Sequence, residues 1–488
     1  MRARAALPHR VARAFPASLV PQVGDRGRGE EAAGRAVSSN PLPSRRKNHT
    51  IIGKGTALNI MATRRADLLV VVRLNNHLPI EILFGDDAAK SAMEHLRRLA
   101  ERHFGRSTLC RIHRDHVELI VQHVPMRCLP GGQLAETLCA ALSDDPFRWG
   151  EEDILLSVSA GWATVDYEAD VPLDGPHMGA ARARLMHSCL SSPPFIAPSD
   201  EGAIQYRKDM RAAAKLMRLA RRGSAFFTWR PVAQPDDPGV ILYYEALLQR
   251  VGHMGEQIDC ADGYAALDRL GMAHLLDRRL LADVLDELEN DPTACLSIAM
   301  SSQSLSLNLH GEGAGWNDAI DRLKRDPAMA RRLVIEIADN GGMPHFRDAL
   351  SFVRTLRGLG VRIAIAHFGS GQASIAELTA LSPDAVKLDS AFMRTAYRSE
   401  RNRLRVGHLI GLARTMSRIV ILDGVESPWH LHLAREEGAD WIAGSHLGRP
   451  SLRRGWLNAH YGDSVAGLAA FNGAFQPMMG GGELRLTN

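Results

Sequence analysis

The strongest constraint on the fold of this chain lies in its second half, where short and almost uninterrupted apolar runs alternate with segments of helical pattern. The runs are AFFTWRPV, VILYYEALLQRV, CLSIAM, RLVIEIAD, VRIAIAHF, AVKLD, RIVILDGV and WIAGSHL; stretches such as MPHFRDALSFVRTLRGLG and SPWHLHLAREEGA stand between most of them. A strand that is apolar on both faces has to be covered on both faces, which selects a parallel sheet wrapped by helices. Repeated β/α units then predict a closed barrel, and such barrels carry their chemistry on the rim at the C-terminal strand ends. Polar residues recur at those ends: Glu245, Glu336, His367, Lys387 and Asp423. They are expected to converge on one mouth.

The first half has another rhythm: strand, helix, strand, strand, helix, strand, helix, starting near residue 66. DLLVVVRL is an apolar strand, and DDAAKSAMEHLRRLAERHF sets apolar residues at helical spacing. TLCRIHRDHVELIVQHV predicts a hairpin turning at His113 to His116. His113, Asp115 and His116 admit a metal reading, but hairpin tips carry polar runs for solvation alone, and that is the reading taken here. His430 and His432 are two apart on a helix, which turns them to different faces, and both are expected at the surface.

The predicted class is α/β. A disordered tail at 1–62 precedes a ferredoxin-like α+β module at 63–190, a Pro/Ser-rich linker at 191–202, a barrel at 203–460 and a flexible tail at 461–488. The tail assignment at the start follows from its Arg, Gly, Pro and Ser content, which buries no core. The basic helix IQYRKDMRAAAKLMRLARRG leads into the barrel and is expected to be exposed, offering Arg211, Arg218, Arg221 and Arg222 to a partner. Lys and Arg number 59 against 55 acidic residues, a net charge of +4 that argues against a general nucleic-acid or membrane-surface protein. Apolar runs are strand-sized, and the six cysteines are scattered without a CxxC pair, so a cytoplasmic protein is expected.

Glu245-Ala246-Leu247 is followed in order by VIEIAD, LGVRIAIAHFGSGQASIAEL, PDAVKLD and DGVES. This series resembles the EAL domain family of cyclic di-GMP phosphodiesterases, from about 205 to 455, and the resemblance implies an EAL-type modified (β/α)8 barrel. The chemistry it implies is hydrolysis of one phosphodiester bond by water activated between two Mg²⁺ or Mn²⁺ ions, held by carboxylates and one amide oxygen. By the same resemblance Glu245 and Glu336 stand as metal carboxylates, Lys387, Glu426 and Asp423 at catalytic positions with Asp389 as a supporting acid, and Arg230, Glu245, Leu247 and Gln249 at cyclic di-GMP contacts.

The departures are as informative. Ala299 stands where the family has a metal-binding Asn, and Ala366 and His367 stand where it has paired aspartates. Asp423 replaces a Glu, Ala443 a Gln, Asp339 a loop-organising Glu, Gln249 a phosphate-gripping Arg and Arg230 a Gln. His367 with Glu245 and Glu336 leaves at most a weak single-metal site, because imidazole selects transition metals over Mg²⁺.

The first half resembles a GGDEF domain, the diguanylate cyclase fold, more faintly and over about 66–187, through LFGDDAAKSAM, RIHRDHVELIV and SVSAGWATV. Its signature hairpin is His113 to Val117 here; Arg73, Glu81 and Lys90 replace metal- and guanine-binding residues, and the inhibitory site maps to Phe104 and Ser107. The expectation is a degenerate GGDEF–EAL regulatory protein, catalytically inactive, acting on a protein partner in cyclic di-GMP-linked signalling. No cofactor is expected, with Mg²⁺ or Mn²⁺ relevant only to residual phosphodiesterase activity. A homodimer remains open. The alternative is a cyclic di-GMP receptor or weak phosphodiesterase using Glu245, Glu336 and Lys387.

Overall fold

The computed structural model describes residues 65–105, 108–125, 133–166, 179–182, 199–252, 254–305, 316–338, 346–371 and 373–454. The expected tails and most of the 191–202 linker lie outside the described residues, as does Asp339.

The first half is built on β1 (Arg65–Leu74), β2 (Thr108–Ile112), β3 (His116–Pro125), the short hairpin β4 (Phe147–Trp149) and β5 (Glu152–Ile154), and β6 (Val158–Asp166). Its antiparallel sheet runs β2-β3-β1-β6, with helices His77–Phe84, Asp86–Phe104 and Gln133–Ser143 in the connections. That order is the ferredoxin-like βαββαβ arrangement. As the central strand, β1 buries Leu68, Val70 and Val72 on one face and Leu69 and Val71 on the other, which explains its unbroken apolar run. The helix Asp86–Phe104 lays Ala88, Ala92, Leu96 and Ala100 along a single stripe against this sheet.

In the second half, β7 (Ala225–Ala233), β8 (Ile241–Val251), β9 (Gln257–Asp259), β10 (Leu296–Ser301), β11 (Leu333–Ala338), β12 (Arg362–Phe368), β13 (Ala385–Leu388), β14 (Ile419–Leu422) and β15 (Trp441–Ala443) form one sheet. Strands β10 to β15 are parallel; β10 returns to β8 through Leu296 and Ser297, opposite Tyr244 and Glu245, and so closes an eight-stranded barrel. Strand β7 is antiparallel to both β15 and β8, and β9 only lengthens the far end of β8. Inward-facing Cys295, Val334, Ala364, Ala385, Ile419, Ile421 and Trp441 fill the barrel, while Ile335, Ile363, Val386 and Leu422 join the larger cluster outside it. Both faces of each strand are apolar, as the sequence pattern requires.

The helix Asp200–Arg221 corrects one expectation. It starts at Ser199, whose hydroxyl accepts from Gly202 N, and it buries Met210, Ala213, Ala214 and Met217. Its arginines are engaged by acids of the first half: Arg211 Nε donates to Glu152 at 2.7 Å, Arg218 to Asp153 at 2.5 Å, and Arg221 lies 3.3 Å from Asp144. On the barrel side Asp209, buried, accepts from Arg269 Nε at 3.0 Å. Arg211, Arg221 and Arg222 are exposed as expected, but Arg211, Arg218 and Arg221 are already ion-paired within the chain.

Candidate functional site

The barrel's apolar filling ends where strand polarity changes, and five charged side chains take over. Strand alternation turns Glu245 of β8, Glu336 of β11, Lys387 of β13 and, from the residue after β14, Asp423 into the mouth; Arg230 of β7 enters beside Glu245, its cross-strand partner. Lys387 Nζ donates to Glu245, to Glu336 at 3.1 Å, and lies 3.9 Å from Asp423. Arg230 donates through Nε to the other oxygen of Glu245 and lies 3.2 Å from Asp423. Ser297 Oγ donates to the second Glu336 oxygen at 2.7 Å. Three carboxylates are thus shared by two cations, all but Arg230 nearly inaccessible.

The electrostatics follow from that sharing. Burial pushes the Glu336 carboxyl up, but Lys387, the Ser297 hydroxyl and Arg230 together hold it below the usual carboxylate range. Asp423 behaves alike: burial opposes ionisation, and Lys387, Arg230 and the Gly424 amide outweigh it. Burial works against charge on Lys387 too, yet Glu245, Glu336 and Asp423 keep it firmly protonated. Gly424 is needed at its position: its φ is +82°, a Cβ would come within 2.8 Å of the Ser390 side chain, and its N–H donates to Asp423 Oδ1 at 2.8 Å. Tyr243 lies below the acids with its hydroxyl buried, and burial together with Glu336 and Glu245 raises its pKa well above normal.

The rim holds the remaining sequence candidates in other roles. His367 has a left-handed φ of 58° and turns Nδ1 to Asp389 Oδ2 at 3.0 Å, so the structure brings it to Asp389 and not to Glu245 and Glu336. Ser370 donates to the same Asp389 oxygen at 2.8 Å, and Asp389 caps the next helix by accepting from Ala391 N at 2.7 Å. Glu426 is exposed on a cleft of about 340 Å³ that it shares with Arg394, Arg398 and His430, apart from the five-charge cluster. His430 is buried, against expectation, because its Nδ1 accepts from Glu426 N at 3.1 Å and so belongs to the turn that starts its helix. Ala299 lies opposite Glu336 in register and is exposed; Ala366 and Ala443 are buried. Leu247 is half-buried, and Gln249 is buried with its Oε1 lacking a hydrogen-bond partner.

Sequence reasoning missed Ser297 and Tyr243. Period-two alternation from Ala299 and Glu245 would have found both, since each lies two residues earlier on the same inward face.

Residues 213–450 match the EAL domain family along their whole length. This stretch is an EAL domain. Among curated relatives, a probable cyclic di-GMP phosphodiesterase, PdeA of Escherichia coli, is 20% identical over 369 residues, which are 72% of this chain and 49% of that protein. An uncharacterised signalling protein of Caulobacter vibrioides is 32% identical over 120 residues, 25% of this chain and 15% of its own length. Among solved structures, the apo S helix-GGDEF-EAL portion of LapD from Vibrio cholerae aligns at a TM-score of 0.43 and 14% identity, covering 80% of this chain and 91% of that one. The chain spans half or less of these curated relatives' length. Among the described residues, no helix is long and apolar enough to cross a membrane.

Proposed function

We propose that this chain is a catalytically inactive regulatory member of cyclic di-GMP-linked signalling, in which the EAL domain acts on a protein partner. One observation carries the reading: the mouth carboxylates already have fixed cations, Lys387 and Arg230. Mg²⁺ or Mn²⁺ would need the same oxygens, and Ala299 and Ala366 supply none. The residues present do not fit that ion pair, and no catalytic step is derived through it. Loss of metal-activated water and of metal charge neutralisation removes effects worth several kcal/mol, or many decades in rate.

The first half is read as a degenerate GGDEF-type module. The ferredoxin-like strand order supports this, as does a 23% identity over 70% of the chain to the bifunctional diguanylate cyclase/cyclic di-GMP phosphodiesterase MucR of Pseudomonas aeruginosa, a span larger than the EAL domain alone. The partner surface is assigned to the EAL rim and the FGSGQAS loop, since Arg211, Arg218 and Arg221 of the linking helix are engaged within the chain.

Full-length protein incubated with cyclic di-GMP and Mg²⁺ or Mn²⁺ is expected to give no turnover above buffer. Turnover that Glu245→Ala abolishes would overturn the proposal. A second reading, a cyclic di-GMP receptor, is favoured by the buried, unpartnered Gln249 oxygen, which lies further along β8 from Glu245 and opposite Phe226. Calorimetry separates the two: saturable binding lost in Gln249→Ala selects the receptor, and its absence selects the protein partner.

A further inference from the structure

At the turn of the first-half sheet, far in sequence from the EAL domain, β2 and β3 bring together three ligand-type side chains. His113 Nε2 lies 3.0 Å from Glu118 Oε2, His116 Nε2 lies 3.8 Å from Glu118 Oε1, and all three donor atoms fall within 4.8 Å of one another. The imidazoles are stacked with centroids 4.3 Å apart and planes 7° apart, so they present their edges to Glu118 in parallel. Two further facts separate this group from a solvated hairpin tip. Glu118 is buried, with only 5% of its side chain exposed. His116 Nε2 is itself buried and has no hydrogen-bond partner.

The tautomer explains that orphaned nitrogen. His116 Nδ1 lies 2.9 Å from Asp115 Oδ1, and Asp115 is in turn held 3.1 Å from Arg73. A carboxylate accepting from Nδ1–H leaves the Nε2 lone pair free and aimed, the arrangement that orients metal-binding histidines. Two imidazoles and one carboxylate suit a transition ion and not Mg²⁺. An ion about 2.0–2.1 Å from tetrahedral donors separates them by roughly 3.4 Å, which lies between the two spacings observed here.

We infer that His113, His116 and Glu118 form a site for a zinc-class divalent ion, with Asp115 positioning His116. The ion takes the Nε2 lone pair of His113, so the Nδ1–H tautomer of that ring is the ligand form. Arg182, whose Nε donates to Glu118 Oε1 at 3.0 Å, competes for the carboxylate; Arg111 lies across the ladder from Glu118 and adds positive charge nearby. The half-exposed His113 leaves the remaining coordination positions to solvent or an exogenous ligand.

The test is titration of tag-free, chelator-treated full-length protein with Zn²⁺, and with Co²⁺ to read the visible bands of a low-symmetry site. One equivalent is expected to bind in preference to Mg²⁺. Binding should weaken at least tenfold in His113→Ala and His116→Ala, about tenfold in Asp115→Asn, and should tighten in Arg182→Ala. Glu118→Gln keeps the side-chain shape and serves as the second removal should a histidine variant misfold, as judged by circular dichroism. Stoichiometric binding that persists unchanged in His113→Ala/His116→Ala would assign the ion to other ligands and overturn the inference, as would the absence of saturable Zn²⁺ binding.

Discussion

Replacing Lys387 by Met tests the charge sharing at the barrel mouth most directly. The side chain is 7% exposed, and its loss removes the sole cation, among the described residues, paired within 4.0 Å of the Glu336 carboxylate, which is itself 5% exposed. Glu336 would keep the Ser297 hydroxyl and a more distant Arg230; Glu245 would keep Arg230. Breaking a buried pair by removing one partner costs about 3–5 kcal/mol, which for a domain of this size lowers the transition by roughly 6–20 °C. The pH dependence has a fixed sign. In the native chain the Glu336 pKa is depressed, so its contribution is present above the unfolded carboxylate pKa and is lost as pH falls through the folded value. Without Lys387, burial dominates and raises that pKa, so the deficit of the variant should grow from pH 5 to pH 8. The assay is thermal unfolding of the full chain across that range, with Lys387→Met/Glu336→Gln alongside. A loss below about 1 kcal/mol at pH 8, or a double variant no more stable than the single one, would refute the reasoning.

Arg230→Gln should lower stability by roughly 2 kcal/mol or more, because Glu245 and Asp423 lose a shared partner, and should not by itself create phosphodiesterase activity, as a hydrolysis assay would read. Adding Ala299→Asn, Ala366→Asp, His367→Asp, Gln249→Arg, Asp423→Glu and Ala443→Gln is the smallest set expected to yield trace turnover. Asp277, fully buried beside Tyr264 and Ser304, has its carboxyl pushed up to about 7 by burial. Because the folded pKa is raised, the stability it contributes is complete below the unfolded pKa and is lost as pH rises through about 7, so Asp277→Asn should flatten the melting temperature between pH 5 and pH 8. Arg218→Glu should set like charge against Asp153 and speed proteolysis near the linking helix; unchanged cleavage rates would refute that.

The barrel was legible because strand burial on both faces leaves a periodic apolar signature, and because alternation fixes which residues enter the mouth. Glu245, Glu336, Lys387 and Asp423 meet where that logic put them. What could not be read was partnership between residues distant in sequence. Arg230 and Asp423 are 193 positions apart, and only closure of β15 onto an antiparallel β7 makes them neighbours. His367 failed for a local reason: its left-handed backbone turns the ring to Asp389, and strand alternation does not extend through such a turn. The ion pairs of Arg211 and Arg218 on the linking helix were not legible because their acids lie 59 and 65 residues earlier, on a hairpin too short to register as strands.

That helix bears on how such a chain can be inherited. Its arginines answer acids of one fold while Asp209 answers Arg269 of the other. A recombination point near residue 203 would hand the helix arginines to one descendant, leaving Glu152 without Arg211 and Asp153 with Arg148 alone in the other. Exchange of either half for a homologous one would need an acidic hairpin or a basic helix of matching register. The two folds are therefore expected to travel through evolution as one cassette.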